Sequence, residues 1–209
     1  MYQLFGHSQS GSAAVEVALN ICGVPYRRVD TYSTEDNDAA KELEALNPQK
    51  QVPTLLLPDG SVLTEAAAIL IHLGLSFPES KLLPQDAAQR AQGIRGLVYI
   101  AANCYTPIGI IDFPRRWLPD ADEVARERLV AGTKQRLYRN WALFADQFPA
   151  TPFLGGAEPG ALDILAAVIT KWVETREAML SARPQFFALL ERIDRHPRVA
   201  PVLSLHWPD

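Results

Sequence analysis

Nine consecutive residues, Asn47-Pro48-Gln49-Lys50-Gln51-Val52-Pro53-Thr54-Leu55, carry the first chemical signal in the chain. Proline cannot donate to a β-ladder, so one that opens a strand is unusual. An X-Pro bond is also where a cis peptide costs little, which makes Val52-Pro53 a candidate. A cis bond there would leave the N–H and C=O of Val52 pointing outward, and such an edge takes an extended peptide through its main chain. An edge-strand proline in an ordinary loop is the other reading of the same residues. The second signal is His7-Ser8-Gln9-Ser10-Gly11-Ser12, which sets three hydroxyls just before a helix. Ser12 suits the helix N-cap, and His7 reads as a loop residue and not as a base. The two cysteines, Cys22 and Cys104, lie far apart without metal-ligand companions, so reduced thiols and no disulfide are expected.

The elements that must position these groups follow from periodicity and punctuation. Tyr2–Phe5 and Pro25–Val29 read as strands. The helix that begins at Ser12 has Val15, Val17, Ala18, Leu19 and Cys22 on or near one face. Glu16 lies early enough in it to suit the helix dipole, and Gly23 supplies a left-handed cap. Thr31–Asp38 is an acidic polar loop, and Ala39–Leu46 a helix stopped by Asn47-Pro48. Thr54–Leu57 and Ser61–Leu63 flank Pro58-Asp59-Gly60 as a hairpin. Thr64 caps a helix over Glu65–Leu75. The order predicts two parallel strands joined by a crossover helix, then a hairpin. After Ser76 no strand-like run recurs. Gln85–Asp112, kinked or ended by Pro107, is helical in pattern, as are Ala121–Phe148, Leu162–Met179, Pro184–Arg195 and Val199–Leu205. The expected organisation is an α/β domain over 1–77, a linker over 78–84 and an all-helical domain over 85–209.

The 209 residues are 48% hydrophobic and 21% charged, as in a globular protein. A net charge of −4 and scattered basic residues argue against nucleic-acid binding. No run of about 18 apolar residues predicts a membrane span, and Met1–Phe5 does not read as a signal peptide, so a cytoplasmic location is expected.

The N-terminal strand, the His7–Ser12 loop, Asn47-Pro48 with Gln51-Val52-Pro53-Thr54-Leu55, Asp59-Gly60 and Leu63-Thr64-Glu65-Ala66-Ala67-Ala68-Ile69 follow one another in a spacing that resembles glutathione S-transferases. Gly160-Ala161-Leu162-Asp163-Ile164 extends the resemblance into the helical half. Lys50-Gln51 before Val52-Pro53 looks most like the zeta-type version. The resemblance implies a thioredoxin-like domain packed on a helical bundle, with glutathione along Val52-Pro53 as co-substrate and no metal. Gln51 and Lys50 are then partners for the ligand's main chain and glycyl carboxylate. Glu65 would accept from its ammonium group, and the helix start at Ala66 would hold its γ-glutamyl carboxylate. The family often has serine at Ala66, and the missing hydroxyl bond to a charged group is worth about 1.5–3 kcal/mol. Ser10 falls where serine-type members place the hydroxyl that lowers the thiol pKa, while alignment on Val15–Leu19 moves the match to Gln9. Ser12 is a further hydroxyl of the same loop.

Asp163 resembles the acid of the family's buried capping box, a folding residue, with Gly160 in place of the usual serine or threonine. Tyr105, Ile108, Phe113 and Trp117 are candidates for an apolar wall around a second, electrophilic substrate, with Trp207 to close it. The resemblance implies a homodimer. The implied activity is conjugation of the glutathione thiolate to a small electrophile, as in detoxification. The alternatives are a zeta-like isomerase, favoured by Lys50-Gln51-Val52-Pro53, and a non-catalytic glutathione-binding module, favoured by Ala66.

Overall fold

The computed structural model describes residues 1–32 and 36–208, so residues 33–35 of the expected polar loop lie outside the described ones. β1 (Tyr2–Gly6) and β2 (Tyr26–Asp30) pair in parallel, with α1 (Ser12–Ile21) as the crossover. α2 (Asp38–Leu46) starts at Asn37, whose side chain accepts the Ala40 N–H. β3 (Thr54–Leu56) and β4 (Val62–Thr64) form the expected hairpin around Asp59, which bonds both the N–H and the hydroxyl of Ser61. The sheet order is β2-β1-β3-β4, with β1 and β3 antiparallel. α3 (Ala66–Ser76) follows, one residue later than expected, because Thr64 is consumed as the end of β4 and Glu65 turns the chain at φ 65°.

α1 differs from the one-faced helix read in the sequence. Every residue from Ser12 to Leu19 is buried, because the helix is covered by the sheet, α3 and the helical half together. A helix apolar nearly all round belongs in such a place. Its one charged residue, Glu16, is not a dipole partner at the surface. Glu16 accepts from Tyr26 (3.1 Å) and Arg28 (3.4 Å), and lies 2.8 Å from Nε2 of buried His206. Burial raises its carboxyl pKa, but His206, Arg28 and Tyr26 more than offset this, so the net shift is downward. His206 ends α11 (Ala200–His206), so this cluster ties the far end of the chain to its first helix.

In the helical half, α4 (Ala87–Tyr99) runs into a π-helical turn, Ile100–Tyr105, and on into α5 (Thr106–Asp112). The turn explains how the chain accepts Pro107 without stopping. Proline has no N–H for the carbonyl four residues back, and that carbonyl, of Asn103, accepts instead from Asn140 Nδ2 at 2.7 Å. By length and composition Ala87–Asp112 could cross a membrane. Here it packs against α7 (Glu123–Gln147) and α8 (Ala161–Ile169). α6 (Pro114–Trp117) is a single turn between α5 and α7.

The expected helix Leu162–Met179 is two, α8 and α9 (Thr175–Ala182). The chain breaks where the Thr170 hydroxyl bonds back to the Ala166 carbonyl and Val173 and Glu174 take φ 59° and 44°. α10 (Pro184–Asp194) completes the bundle. Trp141, Phe144 and Leu165 share one continuous buried core with Leu4, Val15 and Leu70, so the sheet half and the helical half are not packed independently.

Candidate functional site

The segment before β3 is shaped by one buried side chain. Asn47 Nδ2 donates to the Gln51 carbonyl (3.1 Å) and to Thr54 Oγ1 (3.0 Å), its Oδ1 accepts the Gln49 N–H, and Thr54 Oγ1 donates to the Gln51 carbonyl (2.9 Å). These bonds fold 47–54 into a fixed loop that turns Lys50 to φ 54°. The Val52-Pro53 peptide is cis, and among the described residues no hydrogen bond uses the N–H or C=O of Val52. One part of the expectation needs correction: β3 is an inner strand, paired to both β1 and β4, so the open backbone lies beyond its N-terminal end and not along a free strand.

The loop before α1 also differs from the reading. Gly11, not Ser12, is the N-cap, because the Ser12 hydroxyl lies inside the loop, 2.7 Å from Ser10 Oγ and within reach of the His7 carbonyl. Ser10 Oγ donates to the His7 carbonyl (2.8 Å) and accepts the Ser12 N–H (3.2 Å). The ring of His7 stacks on Tyr32, in keeping with a loop role.

Between these segments and the helical half opens a cavity of about 760 Å³. Its sheet-side wall holds Gln9, Ser10, Gly11, the run Lys50–Pro53, and Glu65 with Ala66. Its helical wall holds Tyr105, Ile108, Phe113 and Trp117. The residues singled out in the sequence for ligand, thiol and second substrate therefore meet at one cavity. Phe113 and Trp117 are about half exposed and give its mouth an apolar rim. Lys50 is engaged by Glu44 at 2.8 Å. Three of the non-glycine residues with left-handed backbone, Gln9, Lys50 and Glu65, line this cavity. Such conformations cost about 1–3 kcal/mol each and collect at functional sites. At Glu65 the turn aims an exposed carboxylate into the cavity beside the first, unpaired N–H groups of α3.

Trp172, Arg116 and Asp112 are among the lining residues that sequence reasoning missed. Trp172 stacks nearly parallel on Tyr105, 6.1 Å between ring centres. It falls inside the single helix expected over Leu162–Met179, because the chain break after Thr170 has no proline or glycine to mark it. Arg116 lies over the Phe113 ring at 4.1 Å, and Asp112, whose carboxyl pKa is raised by burial, stands nearby. Trp207 does not close the cavity. It packs edge-on behind Trp172.

Asp163 is the buried acid that the sequence indicated. Its carboxylate accepts the N–H groups of Leu154 (2.8 Å), Gly155 (2.8 Å) and Gly160 (3.0 Å), and it does not line the cavity. Burial pushes its pKa up to about 6 against the pull of those bonds. Gly160 is required by space, since a Cβ there would come within 2.8 Å of the Leu82 carbonyl oxygen.

Residues 12–75 match the family described as glutathione S-transferase, N-terminal domain. Glutathione S-transferase GstA of Escherichia coli O157:H7 is 30% identical over 164 residues, covering 77% of this chain and 76% of that one. A maleylacetoacetate isomerase of Pseudomonas aeruginosa is 25% identical, covering 97% of this chain and 95% of its own. Among solved structures, a glutathione transferase homologue from Sulfitobacter with bound glutathione aligns with a TM-score of 0.85 at 21% identity over 98% of both chains, and so shares the fold. With the thioredoxin-like sheet, the helical bundle and the Val52-Pro53 turn in place, the chain belongs to the glutathione S-transferase family.

Proposed function

We propose that this protein is a glutathione transferase, which binds glutathione in the cavity and adds its thiolate to a small electrophile held against Ile108, Phe113 and Trp117. The observation that carries the reading is the pairing of an unused peptide group at Val52 with a free helix start and a carboxylate at Glu65–Ala66, on one cavity wall. An extended tripeptide with a charged amino-acid end meets both at once. Its main chain pairs with Val52. Its γ-glutamyl carboxylate takes the N–H groups of α3, and its ammonium takes Glu65. Gln51 reaches the glycyl end. Lys50 serves the glycyl carboxylate only by leaving Glu44. The sulfur then falls toward the start of α1, where the helix dipole favours the thiolate. Ser10, the hydroxyl expected there, gives its proton to the His7 carbonyl and would serve the sulfur only by giving up that bond.

The test is glutathione titration followed by tryptophan fluorescence and by thiolate absorbance. Binding at millimolar glutathione with a thiol pKa below the free value of about 8.5 is expected. Glu65→Ala should weaken binding about tenfold or more, the worth of a lost charge-assisted bond. No binding by the unaltered protein would sink the proposal.

A second reading, a glutathione-dependent isomerase, is supported by Lys50-Gln51-Val52-Pro53 and by the Pseudomonas relative. Turnover of a cis-dicarboxylate analogue without consumption of glutathione would select it. Binding without a lowered thiol pKa would select a non-catalytic module. A two-fold dimer is proposed on the strength of the family and of an exposed stripe on the long helical segment, Ala91, Val98 and Ala102. Cytoplasmic location and a role in detoxification belong to the same proposal.

A further inference from the structure

We propose that Tyr105, carried by the helical half, is the residue whose hydroxyl faces the glutathione sulfur and donates a hydrogen bond to the thiolate at the start of α1. The inference rests on the glutathione reading above, and it differs from the wall role read for Tyr105 in the sequence. The first observation is position. Tyr105 ends the π-helical turn, and such bulges inside α-helices recur at functional sites. The turn is pinned on both sides, by Asn140 on the Asn103 carbonyl and by the Thr106 hydroxyl on the Ala101 carbonyl (3.1 Å).

The second observation is contact. The phenol oxygen lies directly against Gly11, the N-cap of α1: a Cβ on Gly11 would come within 2.2 Å of it and 3.0 Å of Cζ. The Gly11 N–H is near enough to that oxygen to pull its pKa down. The phenol keeps its own proton to give, and among the described residues no hydrogen bond uses it. The oxygen shares the cavity with Ser10, Val52 and Glu65.

The third observation is the state of the competing hydroxyl. Ser10 gives its proton to the His7 carbonyl and accepts from Ser12, so its bonds close within the loop. Tyr105 is free of such a bond, and its ring is fixed by the stack on Trp172. Burial first, and then Glu65, push the phenol up to about 12 against the pull of the Gly11 N–H. It therefore stays protonated at neutral pH and acts as a donor. No proton passes between Tyr105 and the substrate. The thiol proton goes to solvent and the electron pair stays on sulfur. That pair forms the S–C bond as the electrophile's leaving group departs or its π electrons shift.

Tyr105→Phe keeps the ring and its stack and removes only the hydroxyl. The expected result is a rise of about one unit in the thiol pKa of bound glutathione, so about tenfold less thiolate at neutral pH. kcat should fall about tenfold, and KM for glutathione should stay within about twofold. Gly11→Ala, whose backbone at φ −60° accepts alanine, pushes the phenol away with its hydroxyl intact and should reproduce the rise. A Tyr105→Phe protein that binds glutathione with an unchanged thiol pKa overturns the inference and leaves the transferase reading standing. So does a Gly11→Ala protein with an unaltered thiol pKa, or a lowered pKa abolished by Ser10→Ala alone. Absence of glutathione binding in the unaltered protein removes both.

Discussion

Ala66 lines the cavity at the start of α3 and brings no hydroxyl to the charged end of the proposed ligand. Ala66→Ser is expected to tighten glutathione binding about tenfold or more, since a hydrogen bond to a charged group is worth about 1.5–3 kcal/mol. Equilibrium titration reads it directly, and an unchanged affinity would mean that the carboxylate is already satisfied by the backbone of α3. At this scale much of the site was legible. The roles proposed for Val52-Pro53 and Glu65-Ala66 rest on backbone geometry and charge, which proline, valine and acidic residue types announce in one dimension. Tyr105 was legible only as an aromatic. Its approach to Gly11 arises from a bulge that depends on a carbonyl of residue 103 finding Asn140, a partner 37 positions away. Ser10 shows the converse, since its hydroxyl bonds first to the neighbouring Ser12 hydroxyl and to the His7 carbonyl.

At the scale of elements, two buried carboxylates set the stability of the helices that frame the cavity. Asp163 holds three backbone N–H groups at the start of α8 and in the loop before it. Asp163→Ala leaves them without partners and is expected to cost about 3 kcal/mol or more. Urea unfolding measures it, and a cost below about 1 kcal/mol would show that water reaches all three. Glu16 gives a pH signature. His206, Arg28 and Tyr26 face its carboxylate, and its pKa in the folded chain lies below the ordinary 4.5. The folded state then binds fewer protons than the unfolded state. The stabilisation is present above about pH 4.5 and is lost as pH falls through the folded value. Melting temperatures of the protein and of Glu16→Gln should therefore differ by a constant amount above about pH 5 and converge below it. The parallel β1–β2 pair and the β3–β4 hairpin could be read from spacing, whereas the caps expected at Ser12 and Thr64 fell elsewhere. The burial of Glu16 could not, because an early acidic residue in a helix looks the same whether it serves solvent or a histidine 190 residues later.

For the whole molecule, the shared core is the controlling fact. α1 is enclosed by the sheet on one side and by α8 and α11 on the other. All four tryptophans lie in the helical half, at positions 117, 141, 172 and 207. Their fluorescence therefore follows that half alone, while far-ultraviolet dichroism also follows the sheet. The two signals are expected to change in one coincident transition on heating. Separate transitions would show that the halves hold together only loosely. The sequence reading divided the chain by composition, and the change near Ser76 is real in its pattern of elements. That division hides the joint, since the apolar residues on the two sides of a shared core look like those of two separate ones.

The clasp between Glu16 and His206 has a consequence during synthesis. A ribosome hides the most recent stretch of a growing chain, so α1 waits for α11 until the chain has grown 190 residues past Glu16. Until residue 206 emerges, the nascent sheet and its first helix stand with one flank bare.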